Sequence, residues 1–266
     1  MSRIDGKNFL AAIIKEKRAE ISLLEKKMSI KSLDRMAAKR KHRSLIASLK
    51  QNSPAIIAEV KKASPSAGVI VQDYNPAKIA SLYEKGGAAA ISVLTENKYF
   101  LGNIEHLQLV RDAVSLPLLR KDFICDVYQV HEAAAFSADA VLLIAAALTV
   151  DEIKTLYNES ISLGLEVIIE VHSAVELNIA LQFESAVIGV NNRNLSTLTT
   201  DLSTAVKMAK LIPVNRISIA ESGIKSRFDV ERLMKAGYKG FLIGESLLRS
   251  KNPEMLLKSF LFKYDY

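Results

Sequence analysis

The sequence is poor in cysteine and contains no tryptophan. Cys125 is the single cysteine among 266 residues, so an intramolecular disulfide is excluded and a cysteine-based metal site is disfavoured. We expect Cys125 to be a small buried or half-buried thiol. The longest apolar run, residues 140–148, is far shorter than the ~20 residues of a membrane-spanning helix, and no secretory signal is visible. These absences predict a cytoplasmic protein without a membrane partner.

Excess positive charge is confined to one part of the chain. Residues 1–50 contain 14 Lys and Arg against 5 Asp and Glu, whereas the remainder carries slightly more acidic than basic residues. Binding of nucleic acid usually needs aromatic side chains among the basic ones, and Phe9 is the only aromatic residue there. We therefore expect no nucleic-acid partner, and interpret the segment as a solvated helical face or a basic rim that attracts an anionic substrate.

From residue 55 onward, short apolar runs alternate with helical patterns. Near-continuous apolar runs are typical of parallel strands that are buried on both faces. Eight such runs are present, at residues 56–60, 89–94, 117–120, 140–144, 167–171, 186–190, 217–220 and 240–243. Eight strand–helix units in sequence favour a closed barrel over an open sheet.

The segments between these runs carry helix-start and helix-stop residues. Asn75 and Pro76 are typical of a helix start, and Thr149 with Glu152 predicts a capping box. Ser173 with Glu176 predicts a second box. The predicted fold class is α/β, a (β/α)₈ TIM barrel with an extra N-terminal helical segment. We expect one domain over residues 1–266, with the helical extension at 1–50, the barrel at 55–250 and a C-terminal helix at 251–266.

Charged and polar residues follow the predicted strands, where a barrel interior would otherwise be apolar. Glu59 and Lys61 are two apart, so they point to the same face of the first strand. Six groups of this kind occur, at residues 59–66, 120–123, 170–172, 191–194, 221–223 and 244–246. Each alone has a structural explanation, such as an ion pair or a helix start. Their shared position at one end of the strands indicates a functional site.

Small residues after the last two strands favour a phosphate site. In barrels, the loops after strands seven and eight commonly bind a phosphate, and Ser222, Gly223, Gly244 and Glu245 occupy these positions. We expect the backbone N–H of Glu245 to bind and its carboxylate to point away. No His or carboxylate set has the spacing of metal ligands, so no metal is expected.

At these residues the sequence resembles the indole-3-glycerol phosphate synthase family. The resemblance covers residues 55–250 and is carried by the stretches 57–66, 92–96, 98–100, 119–124, 169–172, 189–195, 220–224 and 242–247. It implies ring closure, decarboxylation and dehydration of 1-(2-carboxyphenylamino)-1-deoxyribulose 5-phosphate to indole-3-glycerol phosphate in tryptophan biosynthesis, a carboxy-lyase reaction. It implies no cofactor.

The resemblance also implies roles for individual residues. Lys121 is the candidate acid for the developing alkoxide, and Glu170 the candidate base, assisted by Glu59. Lys61 is expected to pair with the substrate carboxylate or to act as a second acid. The remaining catalytic candidates are Asn191, which fixes the sugar hydroxyls, and Ser222, at the phosphate end. His172 is interpreted as a supporting or surface histidine.

The substrate-binding candidates include an apolar pocket for the aryl ring. Phe100, Phe123, Leu142 and Leu195 are expected to line it. Arg193 is expected to orient the anthranilate side or the catalytic carboxylates. Ser64, Gly223, Gly244 and Glu245 complete the substrate-binding set.

Two other functions are weighed against this one. A neighbouring phosphate-binding barrel, phosphoribosylanthranilate isomerase, needs an Asp/Cys acid–base pair, and Cys125 lies beyond Phe123 where a helix is entered. A basic binding module that uses residues 1–50 is the non-enzyme alternative. For the favoured function we expect a monomer with a small phosphorylated substrate.

Overall fold

Eight parallel strands close into a barrel in which each strand pairs with the next along the chain and the last pairs with the first. The computed structural model describes residues 6–194, 197 and 199–261, with the side chains of residues 6–9 excepted. The strands are β1 (Ala55–Val60), β2 (Ala90–Leu94), β3 (Leu118–Lys121), β4 (Ala140–Ile144), β5 (Glu166–Val171), β6 (Val187–Asn191), β7 (Ser218–Glu221) and β8 (Gly240–Ile243). The predicted TIM barrel is confirmed.

Helices surround the barrel and precede it. They are α1 (Gly6–Lys27), α2 (Ile30–Ala37), α3 (Leu45–Gln51), α4 (Pro76–Lys85), α5 (Glu105–Ala113), α6 (Val127–Ala135), α7 (Val150–Ser162), α8 (Ala174–Ala180), α9 (Ser203–Ala209), α10 (Arg227–Ala236), α11 (Glu245–Arg249) and α12 (Pro253–Leu261). A two-stranded hairpin, Ala63–Ser64 with Gly68–Val69, follows β1.

Three of the predicted strands extend one residue further than the apolar runs. β3, β6 and β7 end at Lys121, Asn191 and Glu221, because the ladder continues into these polar residues, as in the pairing of Asn191 with Glu221. The predicted bounds follow the polarity of the side chains, whereas a backbone ladder does not depend on it. The difference matters because these three side chains belong to the barrel mouth.

The barrel interior is filled by alternate residues of the strands. Ile57, Leu119, Ile168 and Ile219 belong to one buried cluster inside the barrel, which also includes Leu49 of α3. Helix α3 therefore covers the N-terminal end of the barrel. The opposite faces of the strands pack against the surrounding helices in a second, larger cluster.

Helix α1 lies against the C-terminal side of the barrel. Its Lys17 is buried, and Lys17 Nζ lies 3.5 Å from Asp122 Oδ1, directly after β3. Near the surface, Arg18 binds Glu152 at 2.6 Å. The basic N-terminal segment is thus partly used in ion pairs with the barrel.

The predicted helix starts are confirmed with one correction. The Asn75 side chain caps α4, and the Thr149–Glu152 capping box is complete. At α8, Ser173 accepts from the Glu176 N–H, but the Glu176 carboxylate accepts from the N–H of His172 rather than that of Ser173. The prediction of a complete capping box at Ser173 and Glu176 was therefore wrong, because only the bond from the Glu176 N–H to the Ser173 side chain is formed.

In the part of the chain that the structure describes, none of the helices is both long enough and apolar enough to cross a bilayer.

Candidate active site

A cavity of about 570 Å³ opens at the C-terminal ends of the strands. The sequence-predicted residues that line it are Glu59, Lys61, Ser64, Phe100, Lys121, Phe123, Leu142, Glu170, Asn191, Arg193, Ser222, Gly223, Gly244 and Glu245. Leu195 lies outside the described residues. Residues from all eight strands or the loops after them converge here, because parallel strands present the same end to one side of a barrel.

Lys121 stands at the centre of the charged side of the cavity. Its Nζ lies 3.1 Å from Glu170 Oε2 and 3.2 Å from Glu221 Oε2. Burial opposes its charge, yet the charges of Glu221, Glu170 and Glu59 prevail and raise the pKa of Lys121. Lys121 is therefore a persistent ammonium placed between carboxylates, able to face a developing negative charge.

Glu170 is buried and held in one orientation. Asn191 Nδ2 donates to Glu170 Oε1 at 3.0 Å, while Asn191 Oδ1 accepts from the N–H of Arg193 at 2.9 Å. Burial favours the neutral acid, but the charges of Lys121 and His172 outweigh it and lower the pKa of Glu170. An ionised, oriented carboxylate in a cavity is what a general base requires.

Glu221 opens the polar group predicted at residues 221–223, but no role was assigned to it from the sequence. Its side chain is buried, and Glu221 Oε1 has no hydrogen-bond partner among the described residues. Burial raises the pKa of Glu221 to about 7, with Lys121 opposing and Glu170 adding to the rise. The carboxyl group can therefore either hold or release a proton near neutrality. Its position at the end of β7, in register with Asn191, was the available signal.

Glu59 and Lys61 form an ion pair on the wall of β1, facing the cavity. A side chain at position 244 would overlap the Glu59 carboxylate, so Gly244 permits the close approach of β8 to this group. Glu59 is buried and Lys61 is half-buried. Because the ion pair also faces the cavity, the ion-pair explanation and the functional explanation both apply.

Arg120 is turned away from the cavity by strand alternation. It lies on the outer face of β3, where its guanidinium binds Glu132 at 2.7 Å and the Gln129 carbonyl at 2.7 Å. Of the charged residues at this strand end, Lys121 faces the cavity and Arg120 has a structural role. The grouping of both residues at the mouth was wrong for Arg120 for this reason.

The opposite wall of the cavity is apolar. Phe100 and Phe123 have ring centroids 6.3 Å apart, and Leu142 lies below them inside the barrel. Leu10 and Ile13 of α1 complete this wall, which the sequence analysis did not predict because helical periodicity does not reveal what a helix packs against.

The loop that carries Phe100 is fixed by one carboxylate. Buried Glu96 accepts from the N–H groups of Lys98, Tyr99 and Phe100 at 2.9, 2.7 and 2.9 Å. A carboxylate that accepts several backbone bonds orders a turn strongly. The position of the aromatic ring therefore depends on Glu96.

The third region of the cavity lies at the ends of β7 and β8. Ser222 has a left-handed backbone (φ 65°), followed by Gly223 (φ 81°). The Glu245 carboxylate binds Arg249 Nε at 2.9 Å along α11, and Lys225 also lines the cavity. These cations and small residues are suited to an anion.

Within residues 6–194, 197 and 199–261, no group of three or more His, Cys, Asp or Glu side chains has the arrangement of a metal site. Cys125 is buried as predicted, and burial raises its pKa to about 11.

Comparison with known proteins gives an independent result. The family model described as indole-3-glycerol phosphate synthase matches residues 10–260. A protein named indole-3-glycerol phosphate synthase from Carboxydothermus hydrogenoformans is 42% identical over 262 residues, which covers 95% of this chain and 99% of that protein.

Solved structures of other barrels are similar in fold. A mutant tryptophan synthase α-subunit from Pyrococcus furiosus has a TM-score of 0.60 at 15% identity and covers 79% of this chain and 98% of its own. Thiamine phosphate pyrophosphorylase from Pyrococcus furiosus has a TM-score of 0.59 at 15% identity, with 79% and 95% covered. At such identities the likeness concerns the barrel alone.

Proposed function

Because the chain belongs to the indole-3-glycerol phosphate synthase family, we propose that the residues of its barrel mouth divide the steps of that reaction among them. The enzyme is a carboxy-lyase of tryptophan biosynthesis. It closes the indole ring of 1-(2-carboxyphenylamino)-1-deoxyribulose 5-phosphate and releases CO₂ and water. The observation that supports this division most strongly is the placement of Lys121 between Glu170 and Glu221 in the cavity.

Ring closure requires a positive group at the ketone oxygen. As the aromatic carbon attacks the ketone carbon, the carbonyl electrons move to oxygen, and Lys121 donates a proton to the alkoxide that forms. The substrate carboxylate then leaves as CO₂, and its bonding electrons restore the aromatic ring. Lys61, paired with Glu59 on the cavity wall, binds the carboxylate before it leaves or acts as a second acid.

Dehydration requires a base for the ring proton and an acid for the leaving hydroxyl. Glu170 removes the ring proton, and the hydroxyl takes a proton from Lys61, the second acid, and leaves as water, with Glu59 assisting. Glu221, with a pKa of about 7, is suited to restore the proton of Lys121. Asn191, already bonded to Glu170, orients that base and binds the sugar hydroxyls.

The substrate is oriented by the two ends of the cavity. The aryl ring packs between Phe100, Phe123 and Leu142, with Leu195 assigned to the same pocket from the sequence alone. The phosphate binds at Ser222, Gly223, Gly244 and the N–H of Glu245. Ser64 and Arg193, whose guanidinium donates to Ser66 Oγ at 3.2 Å, bind the anthranilate side.

The test is direct production of the indole. The protein contains no tryptophan, so product fluorescence is measured against a low background when the open-chain substrate is added, with released CO₂ as a second measurement. We expect both to appear together. Folded protein and intact substrate without indole formation would refute the function.

We further propose that the chain is a cytoplasmic monomer of one domain with no nucleic-acid partner. The packing of Lys17 and Arg18 of α1 on the barrel supports one folding unit and uses part of the basic segment. Sedimentation equilibrium is expected to give the monomer mass, and thermal unfolding a single transition. A titration with DNA or RNA at low salt is expected to give no specific complex.

A further inference from the structure

His172 lies directly after β5, between two carboxylates. Its Nε2 is 3.4 Å from Glu170 Oε1, and its Nδ1 is 3.4 Å from Glu176 Oε2. The side chain is only 14% exposed. Nothing in the reaction as described uses this ring, although it contacts the carboxylate assigned as the base.

Glu176 in the first turn of α8 holds the histidine in place. Glu176 Oε2 accepts from the His172 N–H at 2.8 Å, and Oε1 accepts from Ser173 Oγ at 2.9 Å. Burial favours the neutral acid, but the bonds from His172 and Ser173 prevail and lower the pKa of Glu176. The histidine is therefore fixed to a persistent negative charge on the side away from the cavity.

The Nε2 side of the ring is directed towards Glu170. His172 Nε2 is buried and has no hydrogen-bond partner in the described part of the chain, and it lies 3.4 Å from Glu170 Oε1. The same oxygen accepts from Asn191 at 3.0 Å, while Lys121 contacts the other oxygen. Glu170 thus accepts hydrogen bonds from Lys121 of β3 and Asn191 of β6, and the His172 ring lies 3.4 Å from it at the end of β5.

We propose that His172, clamped by Glu176, is a positioning residue whose protonated form keeps Glu170 ionised and thereby sets the lowest pH at which the base functions. This inference rests on the proposed role of Glu170 in dehydration. A positive charge within about 4–6 Å of a carboxylate favours its ionised form, by about 1–3 pKa units. The histidine complements Lys121, which faces the reacting atoms.

The charges around the ring favour its protonated form. Burial alone lowers the pKa of His172, but the Glu176 bond and the charges of Glu170, Glu176 and Glu221 prevail and raise it. The charged groups on the packed elements are Glu170 on β5, Glu176 on α8, Glu221 on β7 and Lys121 on β3. His172 is therefore charged when falling pH would otherwise protonate Glu170.

The primary experiment compares the pH dependence of kcat in wild type and His172→Gln. Without the imidazolium, Glu170 becomes protonated at higher pH, so the acidic limb of the profile is expected to move up by about one pH unit. On the alkaline side, where His172 is neutral in wild type, the two rates are expected to agree within about threefold. Glu176→Gln is expected to move the same limb in the same direction by less.

His131→Gln is the matched control. His131 also lies between two carboxylates, at 2.6 Å from Asp34 and 3.0 Å from Glu159. Neither of these carboxylates lines the cavity, whereas Glu170, which His172 contacts, does. Its profile is expected to coincide with that of wild type. A His172→Gln profile with an unmoved acidic limb, or with a uniform loss of rate at every pH, would overturn the proposal.

A second measurement separates this proposal from the reaction itself. The pKa of His172 is measured by NMR in wild type and in Glu170→Gln, without substrate. Loss of the Glu170 charge is expected to lower it, and an unchanged value would overturn the coupling. Absence of indole formation by wild type, with the coupling intact, would instead refute the proposed function.

Discussion

The two ends of the barrel both bury charged side chains, but they pair them differently. At the N-terminal end, the Asp139 carboxylate accepts from the N–H groups of Arg43 and Leu118 at 2.8 Å each and binds Arg111. At the C-terminal end, Glu221 shares Lys121 with Glu170 and leaves one oxygen without a partner among the described residues. Full pairing is typical of a structural role, and incomplete pairing of a site that awaits a ligand.

At the N-terminal end, residues 40–46 bind backbone carbonyls and carboxylates of the barrel. Arg40 donates to the carbonyls of Ala138 and Leu163 at 2.6 and 2.7 Å. Glu166, at the start of β5, accepts from Ser44 Oγ at 2.5 Å and from the N–H of Ile46 at 2.8 Å. These bonds attach the helical extension to the barrel far from the cavity. Loss of one of these bonds is expected to lower the stability of the protein without changing kcat.

The largest effect expected is on stability, from Asp139→Ala. Removal of one partner of a buried ion pair typically costs about 3–5 kcal/mol, because Arg111 and the Leu118 N–H lose their acceptor. Chemical denaturation measures the free energy of unfolding, and kcat of the folded fraction is expected to stay near wild type. Asp112→Ala, on the exposed face of α5, is the control and should leave stability unchanged. A large fall in kcat with unaltered stability would reverse the comparison.

Lys121→Ala and Glu170→Gln test the other end. Each is expected to lower kcat by about 100-fold or more, the usual contribution of a general acid or base. Stability is expected to change little or to rise, because a functional cluster is not optimised for stability. Turnover is measured by indole fluorescence. Wild-type turnover in both variants would show that the incompletely paired cluster is not the catalytic one.

A pair of glycine variants sharpens the contrast within one strand. Gly244→Ala places a methyl group on the Glu59 carboxylate at the mouth, and a displaced catalytic group is expected to cost about 10-fold or more in kcat. Gly240→Ala, at the other end of β8, places a methyl group 2.5 Å from Ile219 Cγ2. Overpacking there is expected to cost about 1–3 kcal/mol of stability with kcat unchanged. Equal effects of the two variants on kcat would contradict the contrast.

The smallest effect is the pH dependence of stability that Glu221 contributes. Burial raises its pKa to about 7 in the folded state from 4.5. The stabilising contribution of the neutral acid is therefore complete below about pH 4.5 and is lost as pH rises through 7. Glutamine does not titrate, so Glu221→Gln does not lose stability in this way. The difference in free energy of unfolding between the variant and wild type is therefore expected to shift in favour of the variant between pH 5 and 8, on the order of 1 kcal/mol. The control variant Glu105→Gln, at an exposed position, is expected to leave the pH dependence of stability unchanged.

Much of the site was predictable because strand ends are readable from the sequence. Apolar runs located all eight strands, and parallel connections then require Lys121, Glu170 and Asn191 to meet at one end. Arg120 was grouped with Lys121 because linear order does not state which face of a short strand is the interior. Glu221 was passed over because its carboxylate is noteworthy only once Lys121 is found within 3.2 Å of it.

The sequence by itself determined the number of strands, the starts of α4, α7 and α8 and the end of the barrel that carries polar groups, because hydrophobic period and capping residues act over a few residues. Only the tertiary structure decided that α1 supplies Leu10 and Ile13 to the cavity, that His172 contacts Glu170, and that one lysine lies between two carboxylates. Such contacts join residues far apart in the chain. They depend on barrel closure and on burial, which set the distances and the pKa values together.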